Sequence, residues 1–183
     1  MRTKHLPTHQ LELRIARLPE LFNSMDPTPF FERDLDADAE EYIESWALEY
    51  PGDSRFRIIV HLGEMPNEDP VPIVATGIHN YFNYKAVLAK RHVRTLLVEG
   101  RTALLIGLTF LALCTLVADV LAAFEGHTLM KVLKESLIIG GWVAMWRPMQ
   151  IFLYEWWPLV RRQRIYRRLG HALVHVTQGT PPS

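Results

Sequence analysis

Apolar and polar residues alternate along Leu-Glu-Leu-Arg-Ile-Ala-Arg, residues 11–17, and again along Phe-Arg-Ile-Ile-Val-His-Leu, residues 56–62. A period of two is the mark of a strand with one buried face. Between the two runs, Leu35, Ala39, Ile43, Trp46, Ala47 and Tyr50 fall on one stripe of a helix. That helix starts near Asp36, with Asp36 or Asp38 as its cap, and ends at Pro51-Gly52. Glu40, Glu41, Glu44 and Glu49 lie mostly outside the stripe and read as a solvated face, favoured by the helix dipole at its start. Two strands do not make a stable sheet. A third candidate lies in 171–177, after Gly170 stops the preceding basic helix, and would return the C-terminal end to the same module, the alternative being that the helix continues. The fallback is a sheet completed by another protomer.

From Ile73 a second stripe recurs through Ile78, Phe82, Ala89, Val93 and Leu96. This basic amphipathic helix, residues 71–101, runs toward an apolar stretch, with Gly100 as a candidate joint. Thr102–Phe124 then carries a single charge, Asp119. About 20 apolar residues suffice to cross a hydrocarbon core of ~30 Å, so residues 102–124 are expected to be a transmembrane helix. A short external loop, 125–131, leads to a second apolar stretch, 132–155, expected as an antiparallel second span. It contains Lys134, Glu135 and Arg147-Pro148, and Pro148 predicts a kink because it frees the carbonyl of Ala144.

Charge refines this picture. The net charge is zero, but residues 1–70 hold seven Lys/Arg against fifteen Asp/Glu and residues 71–183 hold thirteen against five. An acidic soluble module therefore precedes a segment that prefers an anionic bilayer. Lys85, Lys90, Arg91, Arg94 and Arg101 flank the first span, and Arg161, Arg162, Arg164, Arg167 and Arg168 follow the second. The connecting loop is nearly neutral, so the positive-inside rule places both termini in the cytoplasm. Asp119 lies roughly 8 Å inside the outer boundary, and Lys134 at a similar depth is its expected partner. The competing role for an acid in that position is ion conduction. Small residues on one face of the first span (Ala103, Gly107, Cys114, Ala118, Ala122) and on the second (Gly140, Gly141, Ala144) predict close helix packing.

Residues 146–162, Trp-Arg-Pro-Met-Gln-Ile-Phe-Leu-Tyr-Glu-Trp-Trp-Pro-Leu-Val-Arg-Arg, read as a membrane exit. Trp146, Tyr154, Trp156 and Trp157 are expected at the interface, with Arg161 and Arg162 meeting anionic headgroups in a basic helix over 156–170. Arg147, about 10 Å inside the boundary, would snorkel to lipid phosphates. The rival reading ends the span at Trp146 and lets Pro148 open an interfacial helix.

Signals for chemistry are sparse. His5/His9 and His171/His175 have the four-residue spacing of helical metal ligands, yet neither pair brings a third ligand. Asn23, Ser24 and Asp26 sit in a turn-rich segment with Pro27 and Pro29, where capping is their usual task. Cys114 is the only cysteine, which excludes an intramolecular disulfide. No phosphate-binding loop, dinucleotide glycine pattern, nucleophile elbow or CxxC occurs. The reading therefore assigns no catalytic residue, metal or cofactor. The start of the chain lacks the apolar core of a cleaved signal peptide, and 178–183 is expected to be a disordered tail.

The segments LFNSMDPTPF, ERDLDADAEEYIESWA and GWVAMWRPMQIFLYEWWPL together resemble a family of small uncharacterised bacterial two-span inner-membrane proteins. That resemblance, over about residues 10–177, implies an inner-membrane location and a cytoplasmic βα module, and it implies no activity. The expected fold is thus an α-helical membrane hairpin of two transmembrane helices plus a small cytoplasmic α/β module of two or three strands with one packed helix. The expected function is a membrane-anchored interaction, regulatory or scaffold protein. Its partners would be the anionic bilayer and either a second copy or another protein, not nucleic acid. The alternative is a small oligomeric channel or membrane effector gated by the cytoplasmic domain.

Overall fold

The computed structural model describes residues 8–23, 33–52, 54–122 and 128–179. Three strands, β1 (Thr8–Ile15), β2 (Arg55–Leu62) and β3 (Leu173–Gln178), form one sheet in the order β1-β2-β3. Both pairings are parallel, with Leu11 opposite Ile58 and Ile58 opposite Val174. The expected two- or three-strand module is therefore a three-strand parallel sheet, and the chain itself supplies its third strand. Parallel neighbours need a crossover rather than a tight turn. The first crossover is α1 (Ala37–Leu48), whose start is fixed by the Asp36 side chain accepting from the Asp38 amide at 3.1 Å. The second contains everything from α2 to α5.

The chain divides into two compact units, one of Met1–Lys90 with Val160–Ser183 and the other of Arg91–Leu159. In the first, the inward face of the sheet (Leu11, Leu13, Ile58, Val60) packs against Ile43 and Ala47 of α1. The same core takes Val74, Ile78 and Phe82 from α2 (Pro70–Ala122) and Ile165 and Leu169 from α5 (Trp156–Leu169). The outward face carries Gln10, Glu12, Arg14, Arg57, His61 and Thr177 with Ile59 and Leu173 as apolar members, so one side of a parallel sheet is left mainly polar. Across that face Thr177 Oγ1 lies 2.9 Å from His61 Nδ1, which ties β3 to β2, while His61 Nε2, 3.5 Å from Glu12, has no hydrogen-bond partner.

Glu40 and Glu44 are not the solvated face that their position outside the apolar stripe predicts. Glu40 accepts from the Tyr81 hydroxyl and pairs with Lys85, both on α2. Glu44 pairs with Arg162 at 3.3 Å and faces Tyr166, both on α5. Each acid thus meets a tyrosine and a cation four residues apart, a spacing that puts the two on one helix face. The turn before β3 is held by His79 Nε2 donating to the Ala172 carbonyl at 2.8 Å and by Asn83 donating to the Gly170 carbonyl at 3.3 Å. Gly170 is required there, because a Cβ would lie 2.4 Å from Asn83 Oδ1. The turn-rich segment after Asn23 is closed at its base by the Asn23 amide on the Asp34 carbonyl and the Asp36 amide on the Leu21 carbonyl, both 2.9 Å. Ser24, Asp26, Pro27 and Pro29 lie outside the described residues.

In the second unit α2 continues without a break at Gly100. It is 53 residues in all and is the one helix among the described residues long and apolar enough to cross a membrane. The expected loop 125–131 and second span 132–155 are redrawn. Helix α3 already begins at Thr128 and stops at Ala144 after 17 residues. That is a rise of about 26 Å, short of a ~30 Å core. A single-residue interruption at Met145 (φ −80°, ψ −7°) separates it from α4 (Trp146–Gln150), which is followed by a π-helical turn, Ile151–Glu155, and then α5. The expected kink thus lies three residues before Pro148. A proline there cannot donate to the Ala144 carbonyl, and the helix yields over the preceding turn. Residues 123–127, including Phe124, lie outside the described set.

Burial, then hydrogen bonding to Glu40, pushes the Tyr81 phenol well above its ordinary value of 10, and burial, then hydrogen bonding to Glu44, does the same for Tyr166. Above pH 10 the unfolded chain releases these protons while the folded one keeps them, so stability present below pH 10 falls as pH rises. The double variant Tyr81→Phe/Tyr166→Phe should flatten the alkaline loss of stability, read by thermal unfolding across pH. At neutral pH each substitution should cost about 1–2 kcal/mol, the charged-acceptor range reduced for partial exposure.

Candidate functional site

The most concentrated chemistry in the second unit surrounds Arg147. Its Nη2 donates to Glu99 Oε1 of α2 and its Nη1 to Glu155 Oε1 of the π-turn, both at 2.6 Å. One guanidinium therefore bridges two carboxylates through separate nitrogens, using the planar fork that lysine lacks. Arg147, expected to snorkel to lipid phosphates, is satisfied by protein carboxylates. Neither partner was legible. Glu99 is 48 residues away, and Glu155, eight residues on, would be roughly 12 Å along a straight α-helix.

The backbone around this cluster is closely packed. A Cβ on Gly100 would lie 2.8 Å from Ile151 Cγ2, so Gly100 serves close approach instead of acting as a joint. A Cβ on Gly107 would lie 3.0 Å from the carbonyl oxygen of Ala144, the acceptor that Pro148 deprives of its helical donor. Farther along, a Cβ on Gly141 would meet Leu111 Cδ1 at 2.8 Å and Cys114 Cβ at 3.3 Å. Contacts of 107 with 144 and of 111 and 114 with 141 show α3 running antiparallel along α2. Cys114 and Ala118 are buried in that seam, whereas Ala103, Ala122 and Ala144 are half-buried. Gly140 meets nothing within 4 Å and takes no part in this packing.

The remaining sequence-selected residues are spread out. Asp119 is exposed and forms no ion pair with Lys134 among the described residues; Lys134 lines a small cavity of about 190 Å³ with Leu121, Ala122 and Met130. Trp146, Tyr154 and Trp157 are largely exposed, while Trp156 is partly buried and donates to the Phe152 carbonyl at 2.7 Å. Arg161 and Arg162 are engaged by the α/β unit and not left free for headgroups. Arg161 caps the C-terminal end of α1 by donating to the carbonyls of Leu48 at 2.5 Å and Tyr50 at 3.3 Å, a favourable place for a cation. His9 stands in β1, stacked on Tyr50 with centroids 3.8 Å apart, and His171 and His175 lie on a turn and a strand, so the helical ligand spacing is not realised. No group of three metal-ligating residues occurs among the described residues, and His5 lies outside them.

Fold and site together define a class: a three-strand parallel α/β module whose second crossover carries one helix long and apolar enough to cross a membrane. Comparison with protein-family models, curated proteins and solved structures finds no match for the chain.

Three outcomes test this geometry. Gly107→Ala should lower the unfolding midpoint in detergent, because the obstructing atom is backbone. Gly140→Ala should leave the midpoint unchanged or raise it, by no more than a helix-propensity gain of about 1 kcal/mol in stability provides. Arg147→Gln should speed hydrogen exchange over 145–155 by removing the one cation that bridges two carboxylates, and adding Glu99→Gln and Glu155→Gln should restore much of the protection.

Proposed function

We propose that the protein is a membrane-anchored interaction or regulatory protein of the bacterial inner membrane. The apolar half of α2 crosses the bilayer, α3 returns against it, and the α/β unit stays in the cytoplasm to bind a second copy or another protein. One observation carries the reading: Leu105, Ile106, Leu116 and Val120 are each 64–68% exposed on α2. Leaving such side chains in water forgoes about 1.5–3 kcal/mol apiece, which lipid would recover. The exposed Trp146, Tyr154 and Trp157 support an aromatic belt, and the Lys/Arg flanks support cytoplasmic termini. The short α3 is within reach of a span if the bilayer thins or the Trp146 end anchors at the interface.

The channel reading draws less support. Thr109 and Thr115 donate to carbonyls of their own helix, at 2.8 Å to Leu105 and 2.8 Å to Ala112, so they offer little polar lining. Full-length protein should resist alkaline carbonate extraction from membranes, reporters at both ends should read cytoplasm, and native mass spectrometry from nanodiscs should show a stoichiometric second copy or partner. Carbonate release would sink the anchor, and a solitary chain would sink the interaction role. Depolarisation of expressing cells would favour the channel.

A further inference from the structure

At the starting ends of β2 and β3, a cavity of about 540 Å³ is lined by Thr8, Arg55, Phe56, Arg57, Arg168, His171 and Leu173. Three of these side chains are arginines and a fourth is a histidine, and none is acidic. Arg55, Arg57 and Arg168 make no ion pair among the described residues, although Glu12, Glu40, Glu44 and Glu64 of the same unit are all paired elsewhere. Arg57 Nε is enclosed and has no hydrogen-bond partner. An enclosed guanidinium nitrogen without an acceptor is costly, and like charges brought together raise the cost; a bound anion relieves both. His171 is held by its Nδ1 donating to the Arg167 carbonyl at 2.8 Å, which leaves Nε2 as the ring's uncommitted nitrogen.

We infer that this cavity binds a phosphate-bearing anion, with Arg55, Arg57 and Arg168 as the clamp and the Thr8 hydroxyl as an auxiliary donor. Arginine forks match phosphate oxygens in pairs, and a group of this volume accommodates more than inorganic phosphate. Phe56 and Leu173 supply an apolar wall for an organic part, so the ligand class is a small phosphate ester or diphosphate, free in solution or as a lipid headgroup. The site stands on the α/β unit alone and does not depend on the anchoring role proposed above.

The test uses full-length protein in phosphatidylcholine nanodiscs, titrated calorimetrically with inorganic phosphate and pyrophosphate. Saturable pyrophosphate binding should weaken at least about tenfold in Arg57→Gln and in Arg168→Gln, the loss expected for one charge-assisted contact. Arg164→Gln, on the same helix but outside the cavity lining, should keep wild-type affinity, and circular dichroism should show all three variants folded. Nanodiscs containing phosphatidylglycerol then separate the sources. Weaker pyrophosphate binding at raised salt, seen in wild type and Arg164→Gln alike, identifies a headgroup competing for the cavity; unchanged affinity identifies a soluble ligand. No binding of either probe, or an equal loss in Arg164→Gln, would overturn the assignment.

Discussion

Because β2 and β3 are parallel neighbours, the chain cannot join them by a turn and must leave the sheet and come back. Residues 63–172 make that journey, and they include the whole of the apolar segment. The consequence is that the sheet cannot be completed until the second unit has been traversed, since the third strand lies beyond it. The apolar helices are thus an insertion within the α/β topology and not an appendage to a finished domain. That arrangement also explains why the two helices flanking the insertion contribute core: Phe82 of α2 and Leu169 of α5 are fully buried under the same sheet.

Polar contacts from α1 add to this apolar packing of both flanks. Its Glu40 and Glu44 reach the Tyr81/Lys85 and Tyr166/Arg162 pairs, while Arg161 closes the exposed carbonyls at its end. Each tyrosine supplies apolar area and a donor at once, which keeps a half-buried carboxylate satisfied without a fully buried ion pair. In the second unit a different principle operates. Gly100, Gly107 and Gly141 leave room for Ile151, Ala144 and Leu111, and Arg147 bridges two acids close to Pro148. Polar bridging and close packing therefore coincide where the helix is weakest.

Much of the architecture was legible in the residues. Period-two alternation located β2 and the second half of β1, which starts three residues earlier at Thr8; the apolar stripe located α1, with Asp36 the cap of the two candidates, and the Gly170 stop located the turn before β3. Those signals are local, arising from the pleat, the helical repeat and backbone capping, so they survive in a single sequence. The second apolar stretch was misdrawn because hydropathy alone does not say where a helix stops. The break at Met145 follows from Pro148 combined with the packing of Ala144 on Gly107, and the latter is a contact 37 residues distant.

By itself, then, the sequence determined the strand–helix–strand unit, the long apolar helix and the division of charge, because each depends on neighbours along the chain. Tertiary structure alone decided what the ionisable groups do. Glu40 and Glu44 became clamps, Arg161 a helix cap and Arg147 a bridge, while Asp119 and Lys134 stayed apart. The reason is physical: a charge takes its role from the partner folding brings within about 3 Å, and here most of those partners lie dozens of residues away.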